Sequence, residues 1–163
     1  MIFVTVGTTH KPFNSLLKAL DAFSETHRTD ILAQIGYATY LPVHYRWFRF
    51  CSHEELEQYL QNAELVISHG GLAIIGECLR SGKSLIVVPR EPHEAVNPQE
   101  ELVSFLAQRG YLDYVASPEH LKPYLIGKKR PKQRKFDFNT RIPELVAQYV
   151  EQVLTNPVNG NIV

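Results

Sequence analysis

The chain has 163 residues with 17 basic and 17 acidic side chains, a formal net charge of zero, and 44% hydrophobic content. That size and balance suit one globular domain able to bury its own core, and they disfavour nucleic acid as the main partner. Two cysteines, Cys51 and Cys78, fit no metal-ligand spacing and agree with a reducing, cytoplasmic setting, while no apolar run approaches the roughly 20 residues that span a bilayer.

In chain order, the first residues lack the positive region and long apolar stretch of a signal peptide and predict a strand over 2–6 that ends at Gly7-Thr8-Thr9. An amphipathic helix is expected over 12–26, with Phe13, Leu16, Leu17, Leu20 and Phe23 on one face and Pro12 in the first turn. A second strand over 31–35 closes at Gly36. The aromatic run 45–50 predicts a third, after which Ser52 caps a helix over His53–Asn62.

The most informative segment follows. Leu65-Val66-Ile67 reads as a strand, Ser68-His69-Gly70-Gly71 as a glycine turn, and the residues to Gly82 as a helix; Leu85-Ile86-Val87-Val88-Pro89 then reads as a buried parallel strand. Segment 65–89 is therefore a β-α-β unit. A Gly-Gly turn of this kind is common as mere turn chemistry, but it also lets phosphates approach uncovered backbone N–H groups at a helix N-terminus. Glu77, six residues past Gly71 and flanked by Gly76 and Cys78, could accept hydrogen bonds from ribose hydroxyls. A nucleotide-sugar site is the reading that uses all of these features. Gly7 lacks the two further glycines of a dinucleotide fingerprint, which disfavours NAD and FAD.

Beyond this unit come a loop over 90–98, a helix over 99–108 ending at Gly110, a strand over 112–115 and a helix opened by Ser117-Pro118-Glu119. Lys128, Lys129, Arg130, Lys132, Arg134 and Lys135 form a basic loop, read either as solvated or as attracted to anionic lipid or an acidic partner. A last helix is expected over 142–154, with Ile142, Leu145, Val146, Tyr149, Val150 and Val153 as an apolar stripe, and a frayed tail over 155–163. The alternation of strands and helices predicts one α/β domain over 1–154, a Rossmann-like parallel sheet with helices on both faces, with ligands at the carboxyl ends of its strands. His10, His44 and His53 have no partner at metal spacing, and no metal is expected.

Val4-Thr5-Val6-Gly7-Thr8-Thr9, Ala33-Gln34-Ile35-Gly36, 63–71, Gly82-Lys83 and Ile86-Val87-Val88-Pro89-Arg90 resemble the small donor-binding subunits of bipartite glycosyltransferases. That family includes the catalytic subunit of the dolichol-linked N-acetylglucosaminyltransferase and bacterial exopolysaccharide and capsule relatives. Gly36-Tyr37-Ala38-Thr39-Tyr40 and the arginine after Pro89 are closer to the bacterial type. The resemblance covers roughly residues 1–115 and implies the C-terminal half of a GT-B enzyme. It implies a UDP-sugar as substrate, with no separate cofactor, and a donor site drawn from Gly7, Thr8, Thr9, Ser68, His69, Gly70, Gly71, Glu77, Arg90, Asn97, Gln99 and Glu100. The acceptor half would be a separate membrane-associated subunit, with peripheral membrane contact through that partner or through 128–135.

Three departures from the family pattern stand out: Leu72 is bulky, Ala73-Ile74 replaces a glycine and a hydroxyl residue, and Pro98 holds a position usually occupied by histidine. No residue stands out as a catalytic base, although His93 and Glu94 lie in the loop expected to face the sugar. The expectation that follows is the donor subunit of a two-protein enzyme making a lipid-linked or exported polysaccharide. Two alternatives stay open: a non-catalytic subunit that stabilises its partner, and a stand-alone nucleotide-sugar isomerase or epimerase.

Overall fold

The computed structural model describes residues 1–90 and 100–134. Six strands, β1 (Ile2–Thr5), β2 (Ile31–Gln34), β3 (Arg46–Phe48), β4 (Leu65–Ser68), β5 (Leu85–Val87) and β6 (Asp113–Tyr114), form one sheet in the order β3-β2-β1-β4-β5-β6. Every neighbouring pair is parallel. The helices are α1 (Asn14–Thr26), α2 (His53–Asn62), α3 (Leu72–Ser81), α4 (Glu100–Gln108) and α5 (Lys122–Leu125), the last preceded by a 3-10 turn at Pro118–Leu121.

Successive strand residues point to opposite faces, and each face is covered. Val4, Ile67 and Ile86 belong to a core with Phe13, Leu16, Leu17 and Leu20 at α1 and with Leu121 and Tyr124. Phe3, Val66, Leu85 and Val87 belong to a second core with Leu60 of α2, Ile74, Ile75, Cys78 and Leu79 of α3, and Val103 and Leu106 of α4. The expected Rossmann-like sheet with helices on both faces is what the chain forms.

Local chemistry explains the element ends. Ser52 caps α2 by accepting from the Glu55 N–H at 3.2 Å, while the Glu55 carboxylate accepts from the Ser52 N–H at 2.8 Å, a reciprocal capping box. α3 stops at Gly82 in the left-handed region (φ 66°), which lets the Lys83 N–H reach the Cys78 carbonyl at 2.9 Å.

Most element ends fall within a residue or two of the sequence expectation, and three of the differences are informative. α1 starts at Asn14 rather than at Pro12, because Phe13 is non-helical and Arg90 holds the Lys11 and Pro12 carbonyls outside the helix. β3 has three residues, since beyond Phe48 the Arg49 side chain turns to the Gly36 and Ala38 carbonyls. The helix after Ser117 begins as a 3-10 turn.

Part of the basic run, at 132–134, is engaged within the molecule. The Lys132 N–H donates to the Asp113 carboxylate at 2.6 Å, and the Lys132 ammonium to the Ala107 carbonyl at 3.0 Å. The Gln133 amide donates to the Gly82 carbonyl at 2.6 Å and Arg134 to the Arg109 carbonyl at 3.3 Å. These carbonyls lie where α3 and α4 end, and positive charge is favourable there. In a parallel crossover those helix ends lie at the amino edge of the sheet, so the run sits opposite the carboxyl edge where ligands bind. The expected helix over 142–154 and the tail lie outside the described residues. Among the described residues no helix is long and apolar enough to cross a membrane.

Candidate functional site

β1 continues through α1 toward β2, whereas β4 continues through α3 toward β5, so the chain winds away in both directions from the β1/β4 pair. The crevice at that reversal lies between the β1–α1 loop and the β4–α3 turn. Thr5 and Ser68 are register partners at the last positions of the two strands. Both are buried and do the same job: the Thr5 hydroxyl accepts from the Gly7 N–H at 3.2 Å and the Ser68 hydroxyl from the Gly70 N–H at 3.3 Å. Thr5 also donates to Gln34 Oε1 at 2.7 Å, tying β2 to the same edge. Ser68 therefore shapes the turn and is closed off from the crevice.

The His69 ring fills the space between the two turns. A Cβ on Gly7 would come within 2.5 Å of its Cε1, and one on Gly71 within 2.9 Å of its Nε2. Gly7 also has φ 77°, so glycine is required there by both space and backbone conformation. Burial, and then the positive charge of Arg90, hold the His69 imidazole down to about 4, with only a partial offset from the Thr5 backbone. The ring is thus neutral at pH 7, and its buried Nδ1 makes no hydrogen bond of ordinary geometry among the described residues.

Gly71 occupies the N-cap of α3 in an extended conformation with no side-chain cap, so the first N–H groups of the helix receive no side-chain acceptor there. Leu72 and Ala73 are exposed beside it, while Ile74 faces the core. The departure at position 74 therefore alters the core more than the crevice. Glu77 is 22% exposed and accepts from Arg80 one turn later through Oε2. Among the described residues its Oε1 has no partner. Cys78, behind it, is a core thiol that burial, with Glu77 adding and Lys83 opposing, pushes up to about 12. It is fully buried.

Arg90 reaches across to the β1–α1 loop. Its guanidinium donates to the Lys11 carbonyl (2.8 Å), the Pro12 carbonyl (2.9 Å), the Val6 carbonyl (2.6 Å) and the Thr9 hydroxyl (3.3 Å), and it sits 5.3 Å from the centre of the Phe13 ring. Thr8 is exposed on the loop. Of the other expected site residues, Asn97 and Gln99 lie outside the described residues, as do His93, Glu94 and Pro98; Glu100 opens α4. Among the described residues no three His, Cys, Asp or Glu side chains could hold a metal ion.

Sequence reasoning missed the residues that fix the 36–44 loop. Asn14 accepts from the Thr39 and Tyr40 N–H groups at 3.2 and 3.1 Å and donates to the Thr39 hydroxyl. Asp21, buried on α1, accepts from the Tyr40 hydroxyl at 2.6 Å and from the Val43 and His44 N–H groups at 3.0 and 2.8 Å. Burial raises its carboxyl, but those hydrogen bonds and the nearby His44 ring outweigh it and leave it below the ordinary carboxylate value. The signal was present: Asp21 is a charge beside the apolar stripe of a helix. This loop presents Tyr37, whose ring lies 4.3 Å from that of His10 and 5.0 Å from that of Phe50. Tyr37 and Phe50 remain about half exposed and meet edge to face, with their rings inclined at 65°.

Comparison with known proteins gives the family. Residues 1–149 match the model of the glycosyltransferase family 28 C-terminal domain. The UDP-N-acetylglucosamine transferase subunit ALG13 of Mus musculus is 34% identical over 124 residues, covering 69% of this chain and 10% of that protein. The chain thus spans about a tenth of the curated relative's length. Among solved structures, the glycotransferase of kitacinnamycin is similar with a TM-score of 0.59 at 18% identity, over 77% of this chain and 34% of that one. MurG of Acinetobacter baumannii is similar with a TM-score of 0.56 at 18% identity, over 80% of this chain and 43% of that one. These structural likenesses concern the fold, that of the C-terminal half of GT-B glycosyltransferases.

Proposed function

The chain belongs to the glycosyltransferase family 28 C-terminal domain family, and on that footing we propose that it binds a UDP-sugar as the donor-binding subunit of a two-protein glycosyltransferase. The observation that carries this reading is the β1/β4 crevice, where two glycine turns and the uncapped N-terminus of α3 meet with Glu77 further along the same helix. The diphosphate lies against the glycine turns and the α3 N-terminus, whose N–H groups and dipole favour negative charge. The Glu77 carboxylate accepts from the ribose hydroxyls. Tyr37, half exposed, offers the base a ring to stack on.

Catalysis in this reading is electrostatic. As the glycosidic bond breaks, charge grows on the departing diphosphate, and backbone dipoles already aimed at it stabilise the transition state more than the ground state. The base for the acceptor hydroxyl comes from the second subunit. One observation supports that division: the relative it matches is itself named a subunit. The product is a lipid-linked or exported polysaccharide, assembled where the partner holds the complex at the cytoplasmic face of a membrane.

Calorimetric titration with UDP tests the donor site. Glu77→Gln is expected to weaken UDP binding several-fold without changing the melting temperature, because an amide is a poorer acceptor than a carboxylate. Equal affinities in the two proteins would remove Glu77 from the ribose. No heat of binding in the unmodified chain would refute the donor reading.

A further inference from the structure

We propose that Arg90 is a positioning residue for the diphosphate: it sets the β1–α1 loop against the β4–α3 turn and makes no contact with the phosphates itself. The inference rests on the donor reading above and assigns Arg90 a different part in it from the direct ligand that the sequence suggested.

The geometry is specific. The two terminal nitrogens of the guanidinium carry four N–H bonds, and four acceptors meet them: the carbonyls of Val6, Lys11 and Pro12 and the Thr9 hydroxyl. Four of the five guanidinium N–H donors, the paired ones on the terminal nitrogens, are thus used by the loop. Arg90 follows β5 and the loop follows β1, the two strands that flank β4. The clamp therefore joins the walls on both sides of the His69–Gly71 turn. Inside it the contacts continue through packing, since Gly7 on the clamped loop leaves room only for the His69 ring, and that ring leaves no room for a side chain on Gly71. A shift of the loop must move the imidazole, and with it the start of α3.

Lysine cannot replace this device. Its single ammonium is a point charge with three donors and no planar fork, so it cannot span carbonyls at the two ends of the loop, although it would serve a phosphate well. That difference separates positioning from direct binding.

The test uses the full chain, Arg90→Lys and Arg90→Ala, with thermal unfolding to establish folding, hydrogen exchange of residues 6–13 read by mass spectrometry, and calorimetry with UDP and with uridine. Arg90→Lys keeps the charge and the aliphatic stem and so guards against a trivial loss of folding. Both variants are expected to exchange faster over 6–13 and to bind UDP about ten-fold more weakly, because a loose loop must be ordered on binding. Affinity for uridine, which has no phosphate, should hold. Unchanged exchange would overturn the clamp. Wild-type UDP affinity in Arg90→Lys would mean that the charge acts directly on the phosphates, and equal losses for UDP and uridine would mean general disruption; either overturns the proposal. Failure of the unmodified chain to bind UDP would sink the donor reading and the positioning role together, while the exchange data would still decide whether the clamp exists.

Discussion

At the scale of single residues, His69 shows how a site can be built from a group that sequence reading assigns to the ligand. Its ring is a spacer between Gly7 and Gly71, and burial together with Arg90 keeps it uncharged. The consequence for stability has a definite sign. Its value in the folded chain is about 4, against an ordinary 6.5, so between these the unfolded chain holds more protons. Stability is therefore full above pH 6.5 and falls as the pH drops toward 4, by on the order of 3 kcal/mol from this residue. Urea unfolding at pH 7, 5.5 and 4.5 should show a steeper loss in the native chain than in His69→Asn; identical slopes would mean that the imidazole is solvated.

At the scale of elements, α1 does more than cover one face of the sheet. Its Asn14 and Asp21 reach the 36–44 loop and fix the ledge that carries Tyr37. Asp21→Ala leaves the Tyr40 hydroxyl and two N–H groups without their acceptor, and is expected to cost about 2–4 kcal/mol in urea unfolding. Because the ledge rather than the crevice is loosened, hydrogen exchange should rise over 36–44 and not over 68–72. A rise in both would place the two loops in one cooperative unit. The helices α3 and α4 show the complementary arrangement, with uncapped N–H groups of α3 at the carboxyl edge and Lys132, Gln133 and Arg134 on carbonyls at the other end.

At the scale of the whole molecule, the proposed two-protein reading requires a second body to bring the acceptor. The chain alone is expected to transfer no sugar, and activity should appear on co-expression with a membrane-associated acceptor subunit. A chain ending at residue 134 retains the contacts of Lys132, Gln133 and Arg134. If the apolar stripe over 142–154 is the docking element, the 134-residue chain should still bind UDP but fail to co-purify with the partner. Retained partner binding and activity would exclude that segment, and robust transfer by the isolated chain would overturn the two-protein model.

The sequence alone determined the layered α/β architecture, the glycine turns and the caps at Ser52 and Gly82, because periodicity and turn chemistry act over a few residues and are written locally. It also singled out Gly7, His69, Gly70, Gly71 and Glu77 as candidates through their place between strand and helix. Their individual duties were not legible. That Ser68 turns inward, that Ile74 belongs to the core, and that Asp21 serves a loop more than twenty residues away depend on which strands become neighbours. Arg90 is the extreme case, for its acceptors lie 78 to 84 residues back along the chain. An arginine beside a nucleotide site reads as a phosphate ligand in any linear pattern. Only the packed sheet, by bringing the β1–α1 loop up to the end of β5, supplies the carbonyls that claim its donors first.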